Sequence, residues 1–268
     1  MSDSNEGSST SSGNTASQSP RGLNFDALKA HVIAHKIDCA LWAIRMVVIV
    51  FSIGYFIPIF GSAQNAYYKV LIANAAISAL RLHQRLGRVQ FSRQFLSELV
   101  LEDSCHYLFY SLIFIYVAPV NLVILPVLLF AILHAASYSL TLLDTLGQNS
   151  WWGCRLLISL VEFQSLNILR LVALSEILLM PYTVLLILMG RAGLLTPFIY
   201  YNFLTQRYAS RRNPYTRNMF HELRLLFEKT AYKPNTPQFV KTILLTIINF
   251  TVKLAPPQIQ VQSPTAQQ

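Results

Sequence analysis

Between residues 38 and 204 the chain is a succession of long apolar blocks with short polar breaks. The first block, Ala40 to Phe60, has about the 20 residues that a helix needs to cross a 30 Å hydrocarbon layer, with Trp42 and Tyr55 placed for its interfaces. Its one charge, Arg45, stands near enough to an end for the guanidinium to snorkel to the head groups. The second block, Ala66 to Leu80, is rich in Ala and runs into Arg81, Arg85, Arg88 and Arg93, which should face the cytosol. Tyr107 to Tyr138 carries no charge, is too long for one span and contains Pro119 and Pro126. Two helices joined by a tight lumenal turn at Pro119-Val120-Asn121 are predicted there. Thr141 to Gln164, with Asp144, Gly147, Trp151, Trp152, Arg155 and Glu162, reads as a cytosolic loop and an interfacial helix. Leu171 to Gly190, holding Glu176 and Pro181, and the shorter Leu194 to Leu204 read as an outward and a returning pass, with a re-entrant hairpin as the other form. The sum is six passes with both termini cytosolic, because Arg81 to Arg93 and Arg207 to Arg217 then share a side.

The flanks have a different pattern. Residues 1–22 are dominated by Ser, Thr, Gly and Asn, a disordered tail that lacks the basic and apolar regions of a cleaved signal peptide. Asn24 to Asp38 suits a short helix at the membrane surface, followed by the helical membrane domain, with the whole taken as residues 23–206. Residues 207–255 form a basic amphipathic region, and 256–268 a second disordered tail. Within the basic region Asn213-Pro214 starts a helix, since proline at the first position wastes no donor. At 100° per residue Tyr215, Met219, Leu223, Leu226 and Phe227 share one arc, while Arg217, His221, Arg224 and Glu228 take the other and Leu225 is misplaced. Thr236-Pro237 repeats the start signal for a helix ending at Pro256-Pro257, whose polar residues reduce to the stripe Thr242, Thr246, Asn249 and Lys253, with a short seventh span as the competing form and packing of both helices on the membrane core as the plainer one.

The fold class is therefore all-α: a polytopic helical membrane protein with C-terminal amphipathic helices. Composition agrees, since 12% of residues are charged against about 25% in a soluble domain. The formal charge of +9 is concentrated: Arg207 to Lys253 holds nine Lys or Arg against Glu222 and Glu228, which accounts for seven of the nine excess charges. An anionic lipid surface is the partner this segment suits, through Arg211, Arg212, Arg217, Met219, Phe220, Leu223, Arg224, Leu226 and Phe227. Arg81, Arg85 and Arg88, spaced i, i+4, i+7, share a helix face and should set topology. No nucleic acid, small-molecule substrate, metal or cofactor is assigned. Cys39, Cys105 and Cys154 are too scattered for a disulfide framework or a zinc site.

Several uncommon strings are familiar: Ser78-Ala-Leu-Arg-Leu-His-Gln-Arg-Leu86, Leu101-Glu-Asp-Ser-Cys-His-Tyr107, Pro126-Val-Leu-Leu-Phe130, Pro197-Phe-Ile-Tyr-Tyr201 and Ser210-Arg-Arg-Asn-Pro-Tyr215. Together they resemble the transmembrane protein thirty-three family, also called Krueppel homologue two, over roughly Asp38 to Ala255. The resemblance implies an endoplasmic-reticulum and nuclear-envelope protein that shapes tubules and associates with reticulon-type or nuclear-pore membrane proteins, with three or four spans and no catalytic activity.

On the residues alone, an enzyme would have to be built from Glu102, Asp103, Ser104, Cys105 and His106, and neighbours along a helix point in different directions. A channel, transporter or ion-flux regulator using intramembrane Glu176 and Arg170 is the alternative function. The preferred reading is a non-enzymatic protein that organises membrane and scaffolds partners.

Overall fold

The computed structural model describes residues 23–57, 61–87, 92–148, 151–210, 212–234 and 236–254. Among them it contains eleven helices and no strand: α1 (Phe25–Ala34), α2 (Lys36–Phe56), α3 (Ala63–Leu86), α4 (Arg93–Leu101), α5 (Asp103–Ile115), α6 (Asn121–Leu146), α7 (Trp152–Glu162), α8 (Ser165–Leu188), α9 (Thr196–Ala209), α10 (Tyr215–Ala231) and α11 (Gln238–Leu254). Local chemistry sets the ends. Asn24 Oδ1 accepts from Ala27 N at 3.0 Å and Ser92 Oγ from Phe95 N at 3.1 Å, each satisfying an orphan first-turn donor. Asn213 Oδ1 accepts from Tyr215 N at 3.2 Å, so the predicted Asn213-Pro214 start holds. Gly147, at φ 81°, ends α6 in the left-handed conformation that a side chain would disfavour. α6 thus runs into the interval read as a loop from Thr141, and only α7 remains of the expected loop and interfacial helix.

The chain folds as three antiparallel hairpins, α2–α3, α5–α6 and α8–α9. Their connections meet at one end: Tyr55 donates to Asn121 Oδ1 at 2.6 Å, Arg191 Nη2 to Pro119 O at 2.9 Å, and Ala118 N to Arg191 O at 3.2 Å. The turn predicted at Pro119-Val120-Asn121 is the middle one of these. Packing joins α8 to α6 and α6 to α2 as one row, and α9 to α5 and α5 to α3 as a second. α2 against α3 and α8 against α9 close the ring. Between the rows lies the core of Val70, Tyr110, Phe114, Val123, Leu179 and Tyr200, with Tyr67 Oη donating to Phe114 O at 3.3 Å.

The two rows differ in length and polarity. α2, α6 and α8 are long and apolar enough to cross a membrane, at 21, 26 and 24 residues. α3 has 24 residues but is too polar to qualify. α5 and α9, at 13 and 14 residues, extend only about 20 Å at 1.5 Å per residue, well short of a 30 Å hydrocarbon layer. Against the six passes expected, six segments run up and down, and three of them have on their own the length and composition of a span. The apolar runs matched α5 in length and understated α9, which continues past Leu204 to Ala209 and carries Arg207 into the core.

α1, α4, α7, α10 and α11 gather at the end away from the connections. α1 is tied to the last turn of α6 by Asn24 N to Leu146 O at 3.2 Å and by His31 Nε2 with Tyr138 Oη at 3.2 Å. α10 lies antiparallel along the first half of α8, and α11 packs on α10.

Candidate functional site

The membrane domain and the C-terminal helices are joined through one buried carboxylate. Glu176, in the middle of α8, is fully buried. Its oxygens accept from Tyr107 Oη at 2.5 Å, Arg207 Nε at 3.1 Å and Thr216 Oγ1 at 3.1 Å, which brings α5, α9 and α10 onto α8. Arg207 Nη1 also donates to Asp103 Oδ1 at 3.1 Å, and Ser210 Oγ to the same oxygen at 3.0 Å. With so many donors aimed at it, Glu176 is a structural anchor. Arg170 lies outside, 3.2 Å from Glu222 on α10. The pair invoked for ion movement therefore performs two separate jobs of helix attachment.

Glu102 turns away from Asp103 and His106, which share a face at i, i+3 with His106 Nδ1 3.8 Å from Asp103 Oδ1. Glu102 accepts from Arg85 Nη1 at 2.7 Å and Arg212 Nη1 at 2.5 Å, Asp103 faces Arg207, and His106 Nε2 donates to Val100 O at 2.6 Å. Among the described residues no group of three His, Cys, Asp or Glu side chains could hold a metal.

The expected membrane-facing arc of α10 is placed differently from the helical-wheel reading. Met219 is buried, Phe220 packs edge-on to Tyr208 with centroids 5.7 Å apart, and Leu223 and Phe227 are half-buried. The arc is where α10 meets the rest of the molecule. Leu226 is exposed, together with the supposedly misplaced Leu225. Arg217 is exposed, Arg224 pairs with Glu228 at 2.8 Å, Arg212 with Glu102, and Arg211 lies outside the described residues. Of the residues expected to set topology, Arg81 and Arg85 line a cavity at the end of α3, and Arg88 lies outside the described residues. Arg45, expected to snorkel outward, is buried between α2, α3 and α6. It shares α2's inner face with Leu41, Val48 and Ser52.

The clearest outward apolar surface is on α11. Phe239, Ile243, Ile247 and Phe250, spaced i, i+4, i+8, i+11, are all exposed, and the stripe Thr242, Thr246, Asn249 and Lys253 runs beside them. Ile248, on the opposite side, is buried and marks the face turned to the rest of the protein.

A family model described as Transmembrane protein 33/Nucleoporin POM33 matches residues 19–257. The chain belongs to this family. Among curated relatives in the transmembrane protein 33/POM33 family, Krueppel homolog 2 of Drosophila melanogaster is 52% identical over 98% of this chain and 96% of its own. Transmembrane protein 33 of Rattus norvegicus is 46% identical, and that of Homo sapiens 45%, each over 90% of this chain and 98% of the relative. No solved structure matches. This member of the transmembrane protein 33/POM33 family is thus an all-helical membrane protein. Its ionic anchor of Glu176, Arg207, Tyr107, Asp103 and Thr216 is what the hydropathy pattern did not reveal.

Proposed function

We propose that the protein organises and shapes endoplasmic-reticulum and nuclear-envelope membrane without catalysis. The three hairpins act as its anchor, and the α10–α11 pair is a cytosolic surface for lipid or partners. The observation that carries this reading is the exposed stripe Phe239, Ile243, Ile247 and Phe250 beside a polar stripe on a helix attached to a membrane domain. An apolar stripe next to Lys253, with Arg217 and Lys233 exposed nearby, is the arrangement that lies in a head-group layer carrying negative charge. α1 and the α10–α11 pair lie at the same end of the molecule, which supports one side for both flanks, and the basic run from Arg207 to Lys253 favours the cytosolic one. The word nucleoporin in the family description supports residence at the nuclear envelope.

In proteoliposomes, benzoylphenylalanine at position 243 or 250 should crosslink to acyl chains, and at position 242 or 249 should not. In cells, Ile243→Glu with Ile247→Glu should leave the protein inserted but spread it from tubules into flat sheets. An unchanged distribution, with no acyl crosslink, overturns the reading. Crosslinks from position 243 to a protein in place of lipid would make α11 a docking helix.

A further inference from the structure

Beside Tyr107 a cavity of about 330 Å³ opens between α2, α3, α5 and α6. Five arginines line it: Arg45, Arg81, Arg85, Arg207 and Arg212. A second cavity of about 150 Å³, bounded by Asp38, Tyr138 and Thr141, shares Arg45, Arg81 and His134 with the first. The two adjoin across these three side chains, as a recess rich in arginine near the ends of α2 and α6 remote from the hairpin connections.

The charges in this recess do not balance. Arg85 and Arg212 share Glu102, and Arg207 is held by Glu176 and Asp103. Three carboxylates thus serve three of the five guanidiniums. Arg45 and Arg81 remain, with no ion pair to a carboxylate among the described residues. Asp38, the acid whose charge both feel, instead accepts from Gln84 Nε2 at 3.3 Å. Arg45 is 5% exposed, and its Nη2 is buried with no hydrogen-bond partner. It stands nine residues after Lys36 and eleven before Phe56, the middle of a helix fit to span the bilayer, where an uncompensated charge is most costly. A buried cationic donor that nothing among the described residues satisfies points to an anion.

We infer that this recess binds a phosphate group, carried on the headgroup of an acidic membrane lipid. Guanidinium is the side chain best matched to phosphate, since its planar fork donates two parallel hydrogen bonds and it stays charged when buried. Arg45 and Arg81 supply that fork, and Asn74 and Ser78 on α3 add neutral groups to the wall. Arg85 and Arg212, whose side chains are 43% and 57% exposed, stand toward the outside and draw an anion inward. A lipid is the fitting carrier because α2 and α6 both have the character of spans, so a headgroup can enter the recess while its acyl chains stay in the bilayer. This inference is independent of the function proposed for α10 and α11.

The test uses the full chain purified in neutral detergent, with its thermal unfolding midpoint followed against three probes: dioctanoyl phosphatidylinositol 4-phosphate, inorganic phosphate and dioctanoylglycerol. The first should raise the midpoint saturably, as a ligand of the folded state does, and dioctanoylglycerol should not. Arg45→Met with Arg81→Gln should weaken the effect at least tenfold, whereas Lys69→Gln, at the far end of α3, should not change it. Because the double variant removes an unpaired buried charge, its midpoint without any probe should be no lower than that of the parent, so lost binding is separable from misfolding. A lipid apparent Kd at least tenfold below that of inorganic phosphate assigns the site to a headgroup, and equal values assign it to the free anion. Absence of any saturable shift, or a double variant that binds like the parent, overturns the inference.

Discussion

At the scale of single residues, the decisive contacts are ionic and buried. Removing one partner of a buried pair leaves the other charge unsatisfied at a cost of about 3–5 kcal/mol, so Glu176→Ala should lower stability by that order, measured as denaturant unfolding in detergent. Tyr107→Phe, which deletes one hydrogen bond to the same carboxylate, should cost about 1.5–3 kcal/mol. Glu176→Leu combined with Arg207→Met should be milder than Glu176→Ala, since the pair is removed whole. Arg207 opens the cationic C-terminal segment of the sequence, yet it is among the largest fully buried side chains. A signal for this was present. Tyr200, Phe203, Leu204 and Arg207 follow i, i+3, i+4, i+7, the spacing of a core-facing stripe. Arg45 likewise sits in register with Leu41, Val48 and Ser52. Net charge along the chain conceals such residues, because it records how many cations a segment has and not which way they face.

At the scale of elements, helix starts and turns were legible because their chemistry is local. Asn213-Pro214, Thr236-Pro237 and the turn at Pro119-Val120-Asn121 all stand where the residues put them. Helix length and outward face were less legible, since both depend on partners distant in sequence. α5 begins at Asp103, whose carboxylate accepts from Arg207 and Ser210, and α10 turns Met219 inward because α8 presents Glu176 to the neighbouring Thr216. α11 carries a directly testable consequence. Asn249-Phe250-Thr251 is a glycosylation sequon on its exposed side, and with α11 on the cytosolic side it should remain unmodified. A glycosidase-sensitive mass shift lost in Asn249→Gln would move α11 to the lumen and invert the arrangement.

At the scale of the whole molecule, the placement of α1 and of α10–α11 at the same end predicts that tags at either terminus are digested by protease added to sealed microsomes. Protection of one terminus and not the other would mean that an odd number of segments crosses. Glu176, sealed by three elements, predicts that Glu176→Gln leaves ion flux through proteoliposomes unchanged from the parent. Hydropathy revealed that the protein is embedded, but not that its ends are unequal. Six helix ends converge where the connections meet, whereas the opposite end carries α1, α4, α7, α10 and α11 in addition. On the proposed function, the broader end makes the body a wedge that takes more lateral area in one leaflet than in the other. Packed densely, such wedges relieve crowding by bulging the bilayer toward their broad side. Reconstituted in one orientation at rising protein-to-lipid ratio, the full chain should narrow its vesicles, and a chain truncated before α10 should do so less.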